Sequence, residues 1–109
     1  MIDIASFAKL ALSFPNAIES PHFEKISFRV DKKIFATVDT TRNTACLKMA
    51  EIDQSVFCSI NRTMIYPVDN KWGKQGWTII ELDKIKKALL KDALSKAYNE
   101  VSTNRKSKK

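Results

Sequence analysis

ISFRVDKKIFATVDTTRNTACLKM, residues 26–49, is the stretch whose reading decides the fold. Ile26, Phe28 and Val30 alternate with Ser27 and Arg29, the two-residue period of a half-buried strand. The polar DKK that follows reads as a turn, IFATVDT as a second β-rich run, TRN as another turn and TACLKM as a third run. Three consecutive strands joined by short polar links predict an antiparallel meander.

Helical patterns lie on either side. Upstream, Asp3 is suited to cap a helix on which Phe7, Leu10, Ala11 and Phe14 share one face until Pro15 ends the run. A loop containing Pro21 and His22 then leads into the meander. Downstream, Ile52, Val56 and Ile60 recur every four residues, so AEIDQSVFCSI predicts a second helix, closed by Asn61 and Arg62. MIYPV reads as a short strand that Pro67 places at an edge or a strand end, and WTIIEL as a last strand. Asp83 then caps a long helix with the apolar face Leu90, Ala93, Leu94, Ala97, Tyr98 and Val101. The fold class is α+β: a two-layer α-β(3)-α-β(2)-α domain with one antiparallel sheet packed by helices. Residues 1–101 form the single domain, and STNRKSKK, residues 102–109, has no apolar residue and reads as a flexible basic tail.

With 109 residues, 44% hydrophobic and 28% charged, the chain has the composition of one globular domain. Asp3 stands where a secretory signal carries basic residues, and no stretch approaches the length of a bilayer span; a cytoplasmic protein without a membrane role is expected. Cys46 and Cys58 then read as reduced, inert thiols. The net charge of +7 is unevenly placed. Residues 1–82 hold 10 Lys and Arg against 9 Asp and Glu, whereas the remaining 27 residues hold 9 against 3. The basic character belongs to the C-terminal segment, which weakens any argument that the whole domain binds nucleic acid because of its charge.

Catalytic signals are sparse. His22 is the only histidine and reads as a loop or packing residue, with Glu24 two residues on. The cysteines lack zinc spacing, and two glycines cannot supply a Walker or Gly-x-Gly-x-x-Gly loop. The expectation is a non-enzymatic protein with no catalytic residue, metal or cofactor.

Both glycines and both tryptophans fall in WGKQGW, residues 72–77. Gly73 and Gly76 are expected to shape the entry to the last strand and Trp77 to anchor it, leaving Trp72 for contact with a partner. The Gly-Lys-Gln-Gly stretch matches the Gly-x-x-Gly loop of KH domains, but there it joins two helices and here a strand-like run follows. Arg29, Lys32, Lys33, Arg42, Lys71 and Lys74 lie on or near predicted hairpin tips and are candidate phosphate contacts, with Trp72 stacking. Charged tips also keep a small protein soluble and block edge pairing. Lys84, Lys87 and Lys91 share one face of the last helix and read as solvated surface.

ALSFPNAIESPHFEKISFRVDKKIFATV, then CLKM, then YPVDNKWGKQGWTIIELD resemble, in that order, the MmcQ/YjbR-like family, small bacterial domains often labelled DNA-binding. The most specific part is the tryptophan, basic residue, glycine, tryptophan spacing ahead of a strand ending in Leu82 and Asp83. Asp31 and Lys32 stand where glycines are usual in the family's strand, turn and strand. The resemblance implies a CyaY-like or secretion-chaperone-like fold, in agreement with the element order. Iron binding on an acidic first helix, as in the frataxin-like group, is disfavoured because no acid lies between Asp3 and Glu19. The functional expectation is weak, backbone-directed DNA binding. The alternative is a protein-interaction or small-ligand module in which the sheet face and Trp72 receive the partner. An exposed positive face around Trp72 favours the first, and an apolar groove beside it the second.

Overall fold

The computed structural model describes residues 2–22 and 25–106. Glu24 and the last three residues of the expected tail lie outside the described residues, as do the side chains of His22 and of residues 103–106. The elements run α1 (Ile4–Leu12), β1 (Ile18–His22), β2 (Lys25–Val30), β3 (Lys33–Asp39), β4 (Thr44–Lys48), α2 (Glu51–Ile60), β5 (Ile65–Pro67), α3 (Lys71–Lys74), β6 (Trp77–Glu81) and α4 (Lys87–Lys106). The strands form one antiparallel sheet in the order β1-β2-β3-β4-β6-β5. The α+β class and the predicted meander are both present, with two additions.

The first addition is β1. Residues 18–22 contain Pro21 and show no alternation, and they pair with β2 at the edge of the sheet, where a missing backbone donor is tolerated. The second is α3, one helical turn inside the stretch read as a tight loop.

The meander's first turn is made by two residues, Asp31 and Lys32, at φ +53° and +70°. Positive φ at both central positions matches the right-handed twist of the flanking strands and normally selects glycine or asparagine. Further along the same pair, Phe28 faces Ala36 but Arg29 faces Ile34, so β3 carries one extra residue, Phe35. This bulge lets Phe35 and Ala36 both reach the core while Ile34 stays on the other side.

One face of the sheet is closed by helices. The α4 face is as predicted: Leu90, Ala93, Leu94, Ala97 and Val101 are buried against β2, β3 and β4. Tyr98 stacks on Phe14, meets Phe35 edge-on, and donates its hydroxyl to the Pro15 carbonyl at 2.6 Å. α1 begins at Asp3, whose Oδ1 accepts the Ser6 amide at 2.8 Å, and it buries Phe7 against Phe28.

The second helix is present, and Ile52, Val56 and Ile60 lie on it; at 73%, 56% and 52% exposure they form its outer stripe. α2 instead buries Phe57 and turns Gln54 inward, because a four-residue spacing identifies the helix without saying which side meets the sheet. Asp83 does not cap α4, which starts four residues later; its carboxylate accepts the Asn43 amide at 2.7 Å and fastens the turn after β6. Lys84 is therefore outside the helix, and its ammonium donates to the Thr63 carbonyl at 3.2 Å. At the other end α4 continues to Lys106, five residues into the segment read as a loose tail.

Candidate binding trough on the open face of the sheet

The face opposite α4 carries the candidate site, and strand register explains its shape. Side chains alternate between faces, so one row crosses the whole sheet: Ser20, Ser27, Thr37, Cys46, Ile79 and Tyr66. Four of these six are small. On one side of the row the chain places Arg29, Ile34, Lys48 and Trp77, and on the other Lys25, Asp39, Thr44 and Glu81. Small residues flanked by larger ones make a trough. Its wide end, about 450 Å³, is lined by Lys25, Ile34, Thr37, Cys46, Val68, Trp72 and Trp77. A narrower end of about 160 Å³ continues past Lys25, Thr37, Cys46 and Val68 to Asp39, Arg42, Thr44 and Ile79.

WGKQGW builds one wall, and both glycines are sterically required. A Cβ on Gly73 would lie 2.0 Å from the Val68 carbonyl oxygen, and one on Gly76 1.9 Å from that of Met49. Gly76 also sits at φ +105°, outside the range of ordinary side chains. The close approach at Gly76 matches a backbone bond from the Met49 amide to the Gly76 carbonyl at 2.9 Å. Asn70 starts α3 by accepting the Trp72 amide at 2.8 Å. From α2, the Gln54 amide nitrogen donates to the Gly73 carbonyl, the Trp77 carbonyl and the Thr78 hydroxyl at 2.9, 3.2 and 3.1 Å. Gln54 thus ties the two ends of the motif to one helix, and Trp72, 50% exposed, and the half-buried Trp77 both line the wide end.

The floor is chemically quiet. Burial pushes the Cys46 thiol up to about 11, the nearby Lys25 ammonium opposing only part of the rise, so it stays protonated at neutral pH. Burial also raises the Cys58 thiol. Beyond the narrow end, the Tyr66 hydroxyl donates to the Glu81 carboxylate, which raises the phenol's pKa; burial adds to the shift, and the Arg42 charge opposes it. Among the described residues no group of three or more His, Cys, Asp or Glu is placed to hold a metal ion, and no helix is long and apolar enough to cross a membrane.

The predicted contact residues do not converge. Trp72 lines the wide end and Arg42 the narrow end. Lys32 occupies the β2–β3 turn, and Lys33 opens onto a separate hollow with Ile34, Lys48 and Trp77. Arg42 lies past the opposite end of β3, about 20 Å away for a seven-residue strand. Lys71 and Lys74 border a third hollow with Gln54, Pro67 and Asn70, the Lys71 ammonium lying 6.0 Å from the Trp72 ring centre. The Arg29 guanidinium is turned onto the sheet, where its Nε donates to the Ser27 hydroxyl at 3.3 Å. Trp77 lines the trough's wide end, Gly73 borders the third hollow against the Val68 carbonyl, and Gly76 packs against the Met49 carbonyl at the entry to β6. Lys25 and Gln54 were not singled out from the sequence. Lys25 opens a strand beside Ile26 with nothing to distinguish it, and Gln54 acts across 19 to 24 residues of chain.

A six-stranded antiparallel sheet, closed by helices on one side and open on the other beneath a tryptophan-bearing loop, defines an α+β domain with one free face. The family model described as YjbR matches residues 12–100, and the chain belongs to that family. The fold is shared with the crystal structure of Deinococcus radiodurans protein DR2400, which carries the family-model domain DUF419. That structure superposes with a TM-score of 0.81 at 21% identity, over 94% of this chain and 80% of the other. A comparison with curated proteins found no match.

Proposed function

We propose that this protein is a non-enzymatic binding module whose recognition surface is the open face of the sheet, and that its occupant is a small, mainly apolar ligand rather than a nucleic-acid backbone. The observation that carries this reading is the trough beside Trp72. Its wide end has the volume of a small-molecule site, and its walls are two indoles, Ile34 and Val68. Its one thiol is held protonated, which suits reversible binding better than covalent chemistry.

Weak, backbone-directed DNA binding is the second reading. The Lys71 ammonium beside the half-exposed Trp72 indole favours it, since bases stack on indoles next to phosphate-binding cations. The wide spacing of Lys32, Lys33 and Arg42 speaks against it, because a backbone tracked by one groove needs its cations along that groove.

The two readings separate in titrations of the full chain with neutral 2-naphthamide and with single-stranded DNA. The ligand reading predicts saturable naphthamide binding that Trp72→Ala and Thr37→Trp each abolish, with DNA affinity indifferent to both. DNA binding that falls steeply with salt and is lost in Trp72→Ala, without naphthamide binding, would establish the nucleic-acid reading instead.

A further inference from the structure

The charge within the trough narrows the class of ligand. Among the described residues that line the wide end, Lys25 is the one charged side chain, with neutral Thr37 and Cys46 beside it and apolar walls around it. Among these described lining residues, an apolar molecule seated there meets an ammonium at one end and no carboxylate. Asp39 lies farther along the narrow end, where its Oδ1 accepts the Thr41 and Arg42 amides at 3.0 and 3.2 Å. A phosphate group is a poor match for the wide end. Phosphate sites gather several donors, such as an arginine fork or a run of backbone amides, whereas one ammonium is a point charge suited to a monoanion. The half-exposed Trp72 and the half-buried Trp77 both line the wide end, and their indoles present flat surfaces that favour a ring.

We infer that the trough takes a small aromatic carboxylate, with its ring against the Trp72 and Trp77 indoles and its carboxylate on the Lys25 ammonium. This rests on the binding role proposed above. The carboxylate replaces hydration with a charge-assisted hydrogen bond at the edge of an apolar site, where it is stronger than in bulk water.

The test compares 2-naphthoate with 2-naphthamide, which share one ring system and differ in charge, by calorimetric titration of the full chain and of exposed-site variants Lys25→Met and Lys25→Arg. The wild-type chain should prefer naphthoate by about tenfold or more, and Lys25→Met should reduce that preference, the ratio of the two affinities, to about twofold or less. Lys25→Arg should retain the preference. Equal binding of the two probes by the wild-type chain, or a preference that survives in Lys25→Met, overturns the carboxylate assignment and leaves the trough as an apolar binding site. Failure of both probes to bind at millimolar concentration overturns the binding role and the assignment together. The wild-type comparison alone decides the first point should a variant fold poorly.

Discussion

The two faces of the sheet are built from the same strands and do different work. On the helix side, Phe28, Ala36, Val38, Leu47 and Ile80 are fully buried or nearly so beneath α1 and α4. On the open side, residues one step along the same strands (Thr37, Cys46, Ile79) form a floor bordered by Trp72 of the short α3 rather than covered by a long helix. The difference separates stability from recognition. Apolar area removed from water lies mainly on the first face, at about 25 cal/mol per Å², so the second is free to carry small, polar and half-exposed side chains.

That separation is most directly stressed by adjacent substitutions. Phe28→Ala removes a ring buried against Phe7 and should cost about 3–5 kcal/mol in denaturant unfolding. Thr37→Ala, on the neighbouring strand but facing the trough, should cost about 1 kcal/mol or less. Similar losses for both would mean that the open face also holds the fold together.

Gly76 is where the two faces meet. Gly76→Ala forces a Cβ against the Met49 carbonyl at a φ that alanine avoids, and should cost about 2–4 kcal/mol while displacing the tryptophan wall. A variant with an unchanged unfolding midpoint would show that the loop tolerates rearrangement and is no fixed wall.

The floor can be probed chemically. With the Cys46 pKa at about 11 rather than the ordinary 9.0, its thiolate fraction near neutral pH is roughly a hundredfold below that of a free thiol. In a Cys58→Ser background, iodoacetamide should modify Cys46 very slowly at pH 7.5 and faster as the pH rises through 9 and beyond. Rapid alkylation at pH 7.5 would make the floor reactive and reopen a catalytic role.

The smallest effect belongs to the β2–β3 turn. Lys32 holds φ +70°, so Lys32→Gly should stabilise the protein by about 1 kcal/mol, read as a raised unfolding midpoint. It should leave trough binding unchanged, because Lys32 is not among the residues that line it.

Periodicity foretold the parts of this molecule that burial dictates. The alternation of residues 26–30 and the face of α4 report a side chain's distance from one core and stand as expected, and the Asp3 cap forms through a local hydrogen bond to the Ser6 amide. β1 was hidden because IESPH has neither alternation nor strong β propensity; its pairing is imposed by β2. The stripe on α2 reports the helix but not its inner side, which belongs to Phe57 and the half-buried Gln54; α2 packs on β5, and Gln54 reaches α3 and β6. The candidate site was half visible. Trp72, Gly73, Gly76 and Trp77 stand out by composition, but the floor is a register property, assembled from Thr37, Cys46 and Ile79 on three different strands. A search led by charge favoured the hairpin tips and passed over Lys25, whose importance comes only from what surrounds it.

The chain's two tryptophans supply a direct test of the central claim, since each gives one indole N–H resonance. Titrating the labelled full chain with 2-naphthoate should shift both indole signals together and saturably, with the amides of Thr37 and Cys46 following and those of α4 residues 90–97 staying in place. Shifts confined to α2 or α4, or indole signals that do not move while the ligand binds, would contradict the assignment of recognition to the open face.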